Sequence, residues 1–482
     1  MSIARNTIYY SSALVYQKVL GFFYFVLIGR FLGVADTGQY VLAVSFIGLF
    51  TVLADIGLIK VMTKEIAQKP NTANQLYNQL ITLKLVLSFI TACLIVLVAH
   101  LLSYQTLTRH LIYIAGLGMI LDSFAYFNWS VFRGLHNLRY ESLSILGFQT
   151  LIVGIGSTML FLGLGVLPVM AATLLGSIFN LFFSYLLLYK KQHFKIKLSF
   201  NQTSMIRLAK YALPFALAGV FANLDTMVDT VMLYKLGCSG IIENCEQQLG
   251  WYGVAAKIII AFQFIPMALS TSLFPAFSRQ SQNQDKKTTP TYIAALRYLG
   301  FIVFPVSTGI IILAPDLIAL IWGVDFLPAA LPLQILMIAL IFIFLDFPYG
   351  ALLNANSYQT TNTIYMGYAV LVNVLLNFIL IAKYSMIGAA ITSIVSALVL
   401  LILRAYKSRQ IINYDLKNIV LLFLKIIISS SGMALGIIYL KPFMSLWLLI
   451  VVAVIIYLVL AKIVRLIHPS DILLIKNLMS RT

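Results

Sequence analysis

Charge is what this sequence has least of. Of its 482 residues only 10% are Asp, Glu, Lys or Arg, against about 25% in a soluble protein. Hydrophobic residues make up 61%, and mean hydropathy is +0.96. Such a chain has too little polar surface to cover a water-soluble globule and too much apolar surface to stay disordered. It reads as an all-α polytopic membrane protein. Acids are especially scarce: 15 Asp and Glu stand against 33 Lys and Arg, a net charge of +18. A basic excess often marks a nucleic-acid partner. Here the basic residues fall between apolar runs and form no single patch, which argues against nucleic acid and for cytoplasmic loops and lipid headgroups.

Cysteine is nearly absent, and three residues allow no disulfide framework. Cys93 sits in an apolar run. Cys238 and Cys245 share one short loop and can pair if that loop faces an oxidising compartment. Catalytic motifs are missing too. There is no Walker A, HExxH or GxSxG pattern. The five histidines (His100, His110, His136, His193, His468) are scattered. The sequence therefore predicts neither a metal site nor an enzyme.

What is present is a long series of apolar runs. A spanning helix needs about 20 mostly apolar residues. The runs predict fourteen spans: 8–30, 39–62, 77–101, 110–131, 142–163, 168–188, 211–236, 250–276, 294–314, 329–352, 361–382, 386–405, 416–440 and 442–464. The shortest breaks carry turn residues or charge: Gly163, Gly165 and Pro168; Lys383; Lys441 and Pro442. With these spans, 22 Lys and Arg fall on one side, five on the other and six inside. That bias predicts both termini in the cytoplasm and the Cys238–Cys245 loop outside. The apolar run after Arg5 is too long for a signal peptide and lacks a cleavage site, so it reads as a permanent span. No outer loop is long enough for a folded domain.

An internal repeat runs through the first twelve spans. Leu32-Gly33 and Leu236-Gly237 lie 204 residues apart; Gly38-Gln39-Tyr40 and Gly250-Trp251-Tyr252 lie 212 apart. The eight extra residues hold the cysteine loop. Ala171-Ala172 and Ala389-Ala390 follow at 218, and Tyr189-Lys190 and Tyr406-Lys407 at 217. The pattern predicts six-helix halves over 1–200 and 201–410, with 411–482 as an appendix of helices 13 and 14 and a tail. Six spans per half give both halves one orientation, a parallel repeat found in transporters.

Charges inside spans are expensive, about 2.5–3.5 kcal/mol each at the helix centre on insertion scales. Lys18, Lys257 and Lys84 lie deep enough to serve as cavity cations for an anionic substrate. Lys60, Arg297 and Lys425 are read as snorkelling to the interface. Asp225 and Asp229, four apart on one helix, share a face and are candidates for H+ or Na+ coupling or for pairing with a lysine. Asp122, mid-helix, serves either role, and Asp55 is placed at an inner gate. Asp346 is read as solvated near the inner surface. Pro214, Pro266, Pro305 and Pro332 lie within spans and predict bends.

Gly29-Arg30-Phe31-Leu32-Gly33, Gly38-Gln39-Tyr40 and Leu53-Ala54-Asp55-Ile56-Gly57-Leu58 resemble the start of the Wzx-type polysaccharide flippases. Asp229-Thr230-Val231-Met232-Leu233, Gly250 to Lys257 and Leu273 to Arg279 resemble their second-half motifs. These transporters of O-antigen and capsule repeat units belong to the MOP superfamily, with the MATE drug exporters and the peptidoglycan lipid flippase. The resemblance implies two six-helix lobes and a transporter that moves an undecaprenyl-diphosphate-linked oligosaccharide from the inner to the outer leaflet of a bacterial inner membrane. Assembly proteins of the same pathway are implied as partners. Lys18-Val19-Leu20-Gly21-Phe22 is similar to a basic helix-1 motif of the peptidoglycan flippase, whose arginine faces the substrate diphosphate, and Lys257 matches a basic helix-8 position there. Here Phe23 and Tyr24 stand where that flippase has a further arginine. A MATE-like cation antiporter is the alternative, with Lys18, Lys257 and the span count against it. A membrane polysaccharide polymerase is the third reading, and the short outer loops oppose it.

Overall fold

A computed structural model describes residues 3–192, 194, 202–237, 245–282 and 288–466. The helices run α1 (Ile3–Asp55), α2 (Leu58–Gln68), α3 (Ala73–Leu101), α4 (Thr106–Gly134), α5 (Arg139–Phe161), α6 (Val166–Gln192) and α7 (Gln202–Gly237). They continue with α8 (Cys245–Phe262), α9 (Phe264–Gln282), α10 (Thr288–Ile321), α11 (Ala330–Ala355), α12 (Gln359–Ser408), α13 (Leu416–Leu440) and α14 (Leu446–Ile463). No strand occurs among the described residues.

Among the described residues, twelve helical stretches are long and apolar enough to cross a membrane. Two of them, of 48 and 50 residues, exceed a single crossing, since 20 residues already span about 30 Å. Each contains a non-helical residue, Gly33 (φ 76°) in α1 and Ser385 (φ 50°) in α12. Counting each as two crossings gives the fourteen expected. The all-α membrane architecture thus follows the hydropathy pattern, and both breaks fall in expected loops.

Two boundaries differ. The second span ends at Asp55, not at 62, because Ile56 (φ 43°) and Gly57 (φ 78°) turn the chain. The following α2 is amphipathic: Leu58, Val61, Met62 and Ile66 are buried while Lys60 is exposed. The eighth span is divided between α8 and α9. Pro266 lies in the first turn of α9, where its missing N–H costs nothing. Pro332 likewise sits in the first turn of α11, so it bends no helix interior, whereas Pro305 lies inside α10.

Two compact units are present, one comprising 1–253 and 377–386, the other 254–376 and 387–482. They are drawn differently from the sequence halves, because α7 packs on α1 in the first unit. Asn223 of α7 donates to Gly48 O at 3.1 Å and to Thr51 Oγ1 at 2.6 Å. Within the first unit, Tyr77, Phe127, Trp129 and Phe132 form a fully buried aromatic core with α2. The second unit has its own cores, around Tyr292 and Tyr349 and around Met433 and Tyr457.

The repeat motif has a packing reason. A Cβ on Gly38 would lie 1.9 Å from Glu246 O, and one on Gly250 would lie 2.2 Å from Val34 O. The matching glycines of the two motifs therefore admit backbone against backbone. A further correspondence lies at a place where the residue types differ. The turns after α4 and α11 carry positive φ at His136 (54°) and Ser357 (65°). Asn137 N bonds Phe132 O, and Tyr358 N bonds Leu353 O, both at 2.9 Å. Arg133 clamps Glu141 across the first turn, and Asn354 accepts from Asn362 at 3.0 Å across the second. Each of these pairs (133/354, 136/357, 137/358, 141/362) is offset by 221 residues.

Candidate functional site

The first unit holds a half-open cavity of about 460 Å³, within the ~300–1,000 Å³ of small-ligand pockets. Its polar lining comes from Thr51, Asp55, Asp122, Ser123, Thr173 and Ser177. These residues sit on α1, α4 and α6. Among the described residues, none that line it is Lys or Arg.

Asp122 is held in place by neutral donors. Ser177 Oγ donates to its Oδ2 at 2.8 Å, and Asn180 Nδ2 donates to its Oδ1 at 3.1 Å. Asn180 is itself oriented, because its Oδ1 accepts from Trp129 Nε1 at 3.1 Å and Ser144 Oγ at 2.8 Å. A carboxylate offers about four acceptor sites, and these two bonds leave further acceptor capacity at the cavity wall.

Lys84 turns out differently from its expected role as a cavity cation. Its side chain is fully buried, and its ammonium is committed to protein acceptors. Nζ donates to Ala54 O at 2.8 Å, to Ser123 Oγ, and to Asp55 Oδ1 at 3.3 Å. Asp55 also accepts weakly from Ile59 N at 3.4 Å, at the start of α2. One lysine thus ties the end of α1, the left-handed Ile56-Gly57 turn and α4 together. This is the floor of the cavity, where the gate residue was expected.

Asp229 forms a second buried centre of the same unit. Tyr252 Oη donates to Oδ2 at 3.0 Å, and Asn377 Nδ2 donates to Oδ1 at 2.7 Å. Asp225 does not share this environment: it is exposed, one turn earlier on α7. Residues four apart lie about 40° around a helix, and the edge of the buried face passes between them. Lys18 is exposed on α1, and Lys257 is half-buried on α8. Cys245 at the start of α8 is disulfide-bonded and Cys93 is free; Cys238 lies outside the described residues. No group of three or more His, Cys, Asp or Glu able to hold a metal occurs among the described residues.

In the second unit Asp346 is buried, contrary to the solvated position expected. Arg404 Nη1 donates to its Oδ2, and both side chains are at most 10% exposed. A partner 58 residues away and two breaks later in the chain cannot be read from hydropathy. Asn180, Ser177 and Asn377 were likewise missed. Single amides and hydroxyls barely alter an apolar run, so only their three-dimensional pairing with the acids marks them.

The family described as "Polysaccharide biosynthesis protein" matches residues 3–281. A probable low-salt glycan biosynthesis flippase, Agl15 of Haloferax volcanii, is 23% identical over 84% of this chain and 83% of its own length. An uncharacterized membrane protein of Methanocaldococcus jannaschii is 21% identical over 83% of this chain and 96% of its own length. Among solved structures, the lipid II flippase MurJ in an inward closed conformation superposes with a TM-score of 0.78 at 19% identity, covering 95% of this chain and 98% of MurJ. An inward-facing multidrug resistance MATE transporter of the MOP superfamily gives 0.67 at 15% identity, covering 81% and 94%. Both likenesses concern the fold.

Proposed function

Because the chain belongs to the polysaccharide biosynthesis protein family, we propose that it is a flippase for lipid-linked oligosaccharide, a transporter and not an enzyme. The cargo is an undecaprenyl-diphosphate-linked repeat unit, moved from the cytoplasmic to the periplasmic leaflet of the inner membrane by alternating access. The product is a surface polysaccharide, O-antigen or capsule. Both termini lie in the cytoplasm, as the Lys and Arg bias argues. Polysaccharide assembly proteins of the pathway are its partners.

The physical need is plain. A diphosphate and several sugars cannot cross hydrocarbon without a polar path, while the polyprenyl tail is at home in lipid. The family match is the observation that carries the reading, and the glycan flippase relative aligned over 84% of the chain supports it. In this reading Lys18 and Lys257 offset the diphosphate charge, each as a point charge without the arginine fork. The Lys84–Asp55 pair serves as an inner latch. Asp229, buried and bonded to Tyr252 and Asn377, takes the coupling ion, H+ or Na+. The exposed Asp225 lies at the approach to it.

Deleting the gene in its host tests the whole proposal. Polyprenyl-linked repeat units are expected to accumulate on the inner leaflet while surface polysaccharide is lost. Accumulation of single units already at the outer face would point to a polymerase, and unchanged glycan with new drug sensitivity to an exporter. The cations are tested by Lys18→Gln and Lys257→Gln, each expected to lower surface polysaccharide at unchanged membrane level. Unchanged polysaccharide in both variants would refute the assignment. Asp229→Asn keeps the shape and loses the charge. It is expected to fold, and to cut surface polysaccharide by on the order of tenfold. Full polysaccharide in that variant would remove Asp229 from coupling.

A further inference from the structure

The cavity of the first unit has a sign that the cargo's diphosphate does not match. Among the described residues its lining holds two carboxylates, Asp55 and Asp122, and no Lys or Arg. Lys84 answers Asp55 from behind the wall. Asp122 is met by a hydroxyl and an amide, so negative charge remains at the cavity surface. The lining is also two-sided. Hydroxyls of Thr51, Thr173 and Ser177 accompany the acids, while Tyr40, Tyr126 and Phe148 add aromatic surface. A sugar ring has the same division, with hydroxyls around its rim and C–H groups on its faces. Sugar hydroxyls donate to a fixed carboxylate, and C–H faces lie on aromatic rings. The Trp129–Asn180–Asp122 relay sets the acceptor's direction before any ligand arrives, which lowers the ordering cost of binding.

We infer that this cavity is a subsite for a neutral or amine-bearing sugar of the cargo, and that Asp122 excludes acidic sugars from it. The inference rests on the glycan flippase reading and adds a charge selectivity to it. A carboxylated or phosphorylated ring would place like charges together at low dielectric, whereas an amino group would gain a counter-ion.

The test uses the purified full chain in lipid nanodiscs and three probes with one shared tail: octyl glucoside, octyl 2-amino-2-deoxyglucoside and octyl glucuronide. Calorimetric titration is expected to give the first two an affinity at least about tenfold above the glucuronide. Asp122→Asn is expected to erase that gap. Ser177→Ala leaves the charge but loosens its orientation, so it should weaken the neutral probe and preserve the order. Equal binding of all three probes by the wild-type chain, no binding of any, or an unchanged gap in Asp122→Asn each overturns the inference. Should Asp122→Asn fail to fold, the order in Ser177→Ala and in the wild type still decides. The outcome is separable from the deletion experiment. Accumulated lipid-linked units together with equal probe binding would sink the subsite and leave the flippase standing.

Discussion

Gly38→Ala and Gly250→Ala are each expected to destroy the folded first unit. The new methyl of Gly38→Ala would lie 1.9 Å from Glu246 O, and that of Gly250→Ala 2.2 Å from Val34 O. Both obstacles are backbone, which cannot rotate away as a side chain does. Overpacking a core costs about 1–3 kcal/mol when side chains can yield, so a backbone clash should cost at least about 3 kcal/mol. The two helices must then separate, which also disturbs the Asp229–Tyr252 bond two residues beyond Gly250. Thermal unfolding of the solubilised chain is the measurement, with the yield of monodisperse protein as a second readout. Gly154→Ala is the control. Nothing lies within 4 Å of its added Cβ, and alanine favours a helix over glycine by about 1 kcal/mol. It should be neutral or slightly stabilising. Equal melting of Gly38→Ala and Gly154→Ala would show that the close crossing is not what the motif glycines serve.

The second large effect belongs to Lys84 and Asp55. A buried charge that loses its partner costs about 3–5 kcal/mol, while replacing both partners by apolar groups is often close to neutral. Lys84 is fully buried and the Asp55 side chain is 19% exposed, so the penalty is unequal. Asp55→Leu strands the lysine in a dry site and should cost more than Lys84→Met, which leaves an acid that still reaches the cavity. Lys84→Met combined with Asp55→Leu should recover much of the loss, giving a coupling of about 2 kcal/mol in a double-mutant cycle. Function should separate from stability in that double variant. The chain would fold, but the turn at Ile56-Gly57 would lose the ammonium that pins Ala54 O to α4, and the cavity floor would lose its polar latch. Strictly additive melting temperatures would mean that the pair contributes nothing beyond its separate contacts.

Legibility in the sequence followed the strength of the signal. Membrane spans were legible because about twenty apolar residues are a collective pattern that no single polar group can mask. The break near Ser385 was legible from Lys383, a charge that no apolar interior accepts cheaply. The glycine motif was legible because two copies stood at related offsets. Its cause, one backbone crossing another, was not. The early end of the second span was also hidden, since Ile56 is apolar and β-branched, an improbable residue for φ 43°. The candidate site was legible only as a set of charged residues. Depth in a span singled out Lys18, Lys257 and Lys84, of which Lys84 is fully buried, Lys257 half-buried and Lys18 exposed. Depth said nothing of partners, so Lys84 read as a free cation and Asp346 as a solvated acid.

The sequence by itself determined the solvent this protein lives in and its all-helical, many-times-crossing class. Each of these rests on sums over many residues, and sums survive ignorance of contacts. Only the tertiary structure decided which charges are answered. Asp55 lies 29 residues from Lys84, Asn377 lies 148 from Asp229, and Arg404 lies 58 from Asp346. In a low-dielectric interior the meaning of a charge is set by the group within hydrogen-bond reach, and that neighbour is a property of the fold.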